Sequence, residues 1–225
     1  MDLDYRTVYS QRKTIGLTVE RDRSIVVRAP VGTSDEAIRQ AVESKKLWLY
    51  EKTNHSQKYA PQPARKEFVT GETLMYLGRY YRLQVTDDEE PSVRFQNRFY
   101  ISRHHQAVAS QLMRQWYMAR AEEKLTPRIR RFAAAMGVAY ERIMISDMRV
   151  RWASCTPKSN LNFNWRIVKA PDFVIDYLIV HELAHLLESN HTAQFWNTVA
   201  VQVPRYALAK AWLRENGAAL EEDLG

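Results

Sequence analysis

Residues 177–196, YLIVHELAHLLESNHTAQFW, constrain this chain more than any other stretch. The segment reads as a buried helix, yet it carries His181, Glu182, His185 and His191. On a helix each residue advances about 100° around the axis and about 1.5 Å along it, so His181 and His185 share a face about 6 Å apart and can grip one ion. Glu182 stands about 100° round from His181, outside the ligand plane but within reach of a water on that ion. It is placed as a base rather than a ligand. His191 would lie about 9 Å beyond His185 on a continuous helix, so the helix has to stop before it can join the same ion. Ser189 and Asn190 offer the stop, since Asn tolerates the left-handed conformation and Ser bonds its own backbone in turns. A single histidine on an apolar face is usually a core residue with a hydrogen-bond partner. H-E-x-x-H with a third histidine favours a metal site instead.

Three neutral imidazoles leave one tetrahedral position of a zinc ion open to water, unlike a closed structural site. Zinc brings the pKa of such a water to about 7, and a glutamate beside it can take the proton while a carbonyl is attacked. The expectation is one Zn2+ per chain and hydrolysis of an amide bond. A structural zinc site would draw on cysteines, and Cys155 is the chain's single one. A downstream carboxylate, Glu215, is the alternative third ligand; His191 is preferred because its spacing suits a return at the helix end. Glu188 reads as a solvated acid, or else as the acceptor for the second ring N–H of His185.

With one cysteine no intramolecular disulfide can form, and the amino-terminal MDLDYRTVYSQRK has no apolar run. A cytoplasmic location is therefore expected. The longest apolar stretch, around residues 173–187, is interrupted by Asp176, His181, Glu182 and His185, which marks a core helix rather than a membrane span. The net charge of +7 is concentrated: residues 101–151 carry +6, and the remainder from 152 onward carries −2. That basic segment, with RIRR at 128–131, supports a second reading, a zinc-containing nucleic-acid or protein interaction module. A solvated helix face explains it equally well. Glu182 favours the enzyme, because a structural site has no use for a base there.

The pattern along the chain is α+β. KTIGLTVE and SIVVRAP read as strands around RDR, and SDEAIRQAVESKKLWLYEK as a helix opening on a Ser cap. Residues 54–66 read as a polar loop; strands follow in FVTGETLMYLGRYYRLQVT and SVRFQNRFYIS, with DDEEP as a turn. From Gln106 to about Met136 the pattern is helical, with Pro127 marking a kink or a new first turn and Gly137 the end. ERIMISDMRVRWASC and NLNFNWRIV bracket TPKS as a β-hairpin, with Leu161, Phe163, Trp165 and Ile167 alternating. Pro171 and Asp172 fit the first turn of the histidine helix, and PRYALAKAWLRENG is a last amphipathic helix ending at Gly217. A strand-rich lobe over 1–103 and a catalytic part over 104–225 follow, or one continuous domain.

Taken together, RWASC, NLNFNWRIV, APDFVIDYLIVHELAHL and NHTAQFW resemble the YgjP-like metallopeptidase family, with SprT-like proteases more distant. RKTIGLTVERDRSIVVRAP and LGRYYRLQV extend the resemblance over nearly the whole chain. It implies a zincin-like catalytic part and a zinc metallopeptidase acting on protein or peptide, with His181, His185 and His191 as ligands and Glu182 as general base. One departure is Ala153, where the family commonly has glycine. The metzincin pattern has glycine where this chain has Glu188, and no Met-turn is evident, so that clan is not assigned. Trp152, Trp165 and Trp196 read as core aromatics, with Trp152 also able to line a cleft; Cys155 reads as a small buried side chain. His55, His104 and His105 lack partner spacing and read as surface residues. Arg151 and Tyr206 are candidates for stabilising an oxyanion opposite the metal.

Overall fold

The computed structural model describes residues 3–20, 24–53, 66–89, 93–148, 151–221 and 224. The 54–65 stretch of the expected loop, with His55, and Val150 lie outside them. The architecture is mixed α and β, as expected, with the chain dividing by packing into Met1–Gln62 and Pro63–Gly225.

In the smaller unit β1 (Tyr5–Ser10), β2 (Gly16–Val19) and β3 (Ile25–Pro30) form a sheet in the order β1-β3-β2. β2 and β3 are the expected strands; β1 escapes the sequence pattern because its side chains are mostly exposed and give no clean alternation. Ser34 caps α1 (Asp35–Ser44), its hydroxyl accepting from the Ala37 amide. The expected single helix breaks at Lys45, and α2 (Lys46–Thr53) follows. Val27, Ala29, Ile38, Val42 and Leu49 close a core of their own.

The larger unit opens with β4 (Thr73–Tyr76), β5 (Arg79–Thr86), β6 (Arg94–Phe95) and β7 (Phe99–Ser102), ordered β4-β5-β7-β6. The β4–β5 turn has Leu77 and Gly78 both at positive φ, 47° and 77°, the conformation of a tight hairpin. Only glycine fits the second position twice over, because an added Cβ would sit 2.5 Å from the Pro171 ring. These strands share one core with α3 (Ala109–Met136): Leu83, Phe99 and Ile101 pack with Met113 and Tyr117. The packing division thus lies at 62/63, whereas the sequence pattern suggested 103/104, because the strands after residue 66 bury their apolar faces on a helix that follows them.

α3 buries Ala109, Met113, Tyr117, Ala121, Leu125 and Ile129 at four-residue spacing along one face. It runs unbroken through Pro127, so that residue starts no new helix, and it ends on Gly137 at φ 65°. Its basic residues bind elements together: Arg114 pairs with Asp147, and Arg128 with Asp172 and Asp176 at 2.7 and 2.9 Å.

The hairpin is present. β8 (Arg142–Ser146), β9 (Ala153–Cys155) and β10 (Asn160–Asn164) are ordered β8-β10-β9, with Leu161 opposite Cys155 and Phe163 opposite Ala153. The expected alternation through Trp165 and Ile167 does not continue as strand. Asn164 accepts from the Arg166 amide, and residues Trp165–Lys169 turn as a 3-10 helix with Trp165, Ile167 and Val168 all buried. The same side chain donates to the carbonyl of Met148 at 2.8 Å, tying down the loop that leads into β9. α4 (Asp172–Ala184), α5 (Ala193–Gln202) and α6 (Tyr206–Leu220) complete the fold. α6 runs through Gly217 rather than stopping there, and the Trp152 ring lies over that glycine, 3.7 Å from where a Cβ would be. Among the described residues no helix is long and apolar enough to cross a membrane.

Candidate active site

α4 is apolar nearly all round and sits in the core, with Val174, Ile175, Leu178, Ile179 and Leu183 buried. Asp172 opens its first turn, as the sequence suggests, with Pro171 one position outside it as the N-cap, and its last residue is Ala184. The helix therefore ends five residues earlier than Ser189. Amides of Leu186 and Leu187 bond carbonyls three residues back, so the chain tightens past His185 before it turns. The ring of His185 still projects from the end of the helix beside that of His181, their centroids 5.0 Å apart.

Residues 188–192 then fold back. Glu188 holds this return through its own side chain, which accepts from the Asn190 amide at 3.3 Å. Its main-chain carbonyl, not its carboxylate, lies 3.3 Å from His185 Nδ1. The return brings His191 Nε2 to 3.1 Å from His181 Nε2. Two nitrogens on one tetrahedral zinc ion are about 3.3 Å apart, from Zn–N bonds of about 2.0–2.1 Å, so the spacing fits a shared ion. One ring nitrogen from each of His181, His185 and His191 lies within 4.8 Å of the others, and these three are the candidate metal-holding group among the described residues. Glu215 is exposed on α6, beside Arg214 at 3.8 Å, and is not in that group.

The donor set suits a cation. Burial, reinforced by His185 and His191, holds the His181 pKa down to about 3, so its ring stays neutral and keeps a lone pair. Burial lowers His185 in the same direction.

Glu182 is 5% exposed on the adjoining face of α4. Burial lifts its pKa to about 7, against a hydrogen bond from the Cys155 main chain and the positive charge of Arg151. That Cys155 amide is free to serve it because of the hairpin register. Asn164 N donates to Trp152 O, and Thr156 N donates to Asn160 O, so residues 152 and 156 face β10. By strand alternation, Ala153 and Cys155 turn their amides and carbonyls to the other edge. No third strand pairs with β9 among the described residues. Burial, then Glu182, pushes the Cys155 thiol pKa up, in keeping with a small, partly buried side chain.

Phe195 was invisible to sequence reasoning as a site residue. Thr192 caps α5, accepting from the Phe195 amide, and this places the fully buried ring 5.0, 4.7 and 4.7 Å from the rings of His181, His185 and His191. The Thr192 cap is the signal that marks α5 in the sequence. Of the other candidates, Trp152 is partly buried and Arg151 exposed, and Tyr206 stacks on Tyr177 and Trp196. Trp165 is buried, stacked on Tyr117; Trp196 is partly buried. His104 is exposed and His105 partly so.

A family model described as YgjP-like, metallopeptidase domain, matches residues 13–216. A comparison with curated proteins found no match. Among solved structures, the metallopeptidase zymogen abylysin of Pyrococcus abyssi is similar at 18% identity and TM-score 0.38, over 45% of this chain and 99% of that one. The zymogen jannalysin of Methanocaldococcus jannaschii is similar at 20% identity and TM-score 0.35, over 39% and 94%.

Proposed function

Since the chain belongs to the YgjP-like metallopeptidase family, we propose that His181, His185 and His191 hold one catalytic zinc ion and that Glu182 is the general base of peptide-bond hydrolysis. The observation that carries this reading is the convergence of three ring nitrogens within 4.8 Å beside a buried carboxylate. Zinc bound there would acidify a water and polarise the scissile carbonyl. Glu182 accepts the water's proton on a carboxylate oxygen as the water adds to the carbonyl carbon. It then delivers that proton to the departing amide nitrogen, and carboxylic acid and amine result. The Cys155 amide fixes the carboxylate for both transfers.

Substrate lies extended along β9 and antiparallel to it, using the Ala153 amide and carbonyl and the Cys155 carbonyl, which turn outward. Such bonds ignore side-chain identity, so tolerance of sequence follows. Arg151, two residues before β9, has its charge acting on Glu182, which makes it the favoured oxyanion donor, and Trp152 lines the cleft. The test is digestion of an unbiased peptide library by the zinc-loaded protein and by Glu182→Gln. Cleavage by the first and not the second is expected; equal product from both would defeat the reading.

A further inference from the structure

Three rings run in succession from one histidine of the triad to another. Tyr177 Oη lies 3.5 Å from His181 Nδ1, the nitrogen facing away from the cluster. Tyr177 stacks on Tyr206, with centroids 6.5 Å apart and planes 21° apart. Tyr206 stacks on Trp196 at 5.3 Å and 17°, and Trp196 stacks on His191 at 5.6 Å and 21°. Lys210 Nζ lies 4.1 Å from the Trp196 ring centroid, a cation–π contact that fixes this indole further. The elements involved are different: Tyr177 is on α4, Trp196 on α5, and Tyr206 and Lys210 on α6.

This arrangement answers a specific weakness of the site. His181 belongs to a rigid buried helix, but His191 is exposed on an irregular return and has no helix to hold its ring. A ligand free to swing loses conformational entropy when an ion fixes it, and that loss weakens binding. We propose that Tyr177, Tyr206 and Trp196 form a stacked clasp that fixes the rings of His181 and His191 before metal arrives and thereby sets metal affinity. Tyr206 is the keystone. It is a positioning residue acting through its ring, whereas the hydroxyl of Tyr177 acts directly, accepting the Nδ1–H that His181 carries when Nε2 faces the ion. Partners of this kind are commonly worth about 10–100-fold in metal affinity.

The inference rests on the three-histidine reading, and the experiment separates the two. Zinc dissociation constants are measured by chelator competition on the full chain, with the visible spectrum of the cobalt form as a second readout. Tyr206→Leu and Trp196→Leu should each weaken zinc about tenfold or more and alter the cobalt spectrum, while Tyr206→Phe keeps both at wild-type values. Tyr177→Phe, which removes one oxygen and leaves the packing, should weaken zinc several-fold and provides the measurement should a leucine variant not fold. Wild-type affinity in the leucine variants or in Tyr177→Phe, with affinity lost in His191→Ala, would overturn the clasp and leave the metal site standing. Loss in Tyr206→Phe equal to that in Tyr206→Leu would also overturn it, because the hydroxyl and not the stack would be responsible. Wild-type affinity in His191→Ala would refute the metal reading itself.

Discussion

The main chain of Cys155, on the edge of β9 that no other strand covers among the described residues, acts on the carboxylate of Glu182 on α4 and draws its pKa down against burial. One strand edge thus orients the proposed base and offers its remaining outward groups to an extended chain. Converting Glu182 to Gln keeps the size and an acceptor oxygen but removes the basicity. Turnover by the zinc-loaded protein should fall at least ~10²-fold with zinc content unchanged. Steady-state rates alongside elemental analysis check this, and undiminished turnover would remove Glu182 from the mechanism.

Proline at Ala153 tests the edge. The Ala153 amide points away from β10, so the hairpin ladder loses nothing when it is removed. KM for peptide should rise with zinc retained; an unchanged KM in the folded variant would show that substrate does not use this edge.

The metal-free protein should pay for its buried base. The folded Glu182 pKa is raised from 4.5 to about 7, so between those values the unfolded chain releases a proton that the folded one keeps. Stability contributed by this group is therefore intact below about pH 4.5 and lost as pH rises through 7. Glu182→Gln should stabilise the metal-free protein by a few kcal/mol at pH 8 and by little at pH 4.5, as read from urea midpoints at the two values. An equal effect at both would contradict the assignment.

Arg128 ties α3 to α4 through Asp172 and Asp176. Its removal should lower stability by roughly 1 kcal/mol, because the partly buried Asp176 keeps only Arg131 among the described residues, at 3.7 Å, while Asp172 is exposed to solvent. Arg130 is exposed, and Arg130→Ala should stay within about 0.5 kcal/mol of the wild type. Thermal melts of the two variants compare them. This pairing also accounts for part of the basic excess in 101–151 without any nucleic acid.

Much of this architecture was legible in the sequence, and the exceptions have physical causes. Helical geometry forces His191 off the helix that carries His181 and His185, so a return was predictable from spacing alone. Where it begins was not, since the turn at His185–Leu187 is built from main-chain bonds that leave no residue signature. β1 was missed because it is largely exposed, and the strand expected through Ile167 stops at Asn164 because buried side chains in a 3-10 turn mimic alternation. Phe195 and the stack through Trp196 and Tyr206 join three helices, and no local pattern reports contacts of that range.

Everything proposed for this site rests on His181, His185 and His191 together holding one zinc ion. Elemental analysis of the purified protein and of the three single His→Ala variants, after dialysis against a weak chelator, tests it most directly. The account predicts one zinc per wild-type chain and loss of zinc from each variant, with Glu215→Gln still loaded. Full zinc occupancy in His191→Ala, accompanied by its loss in Glu215→Gln, would contradict it.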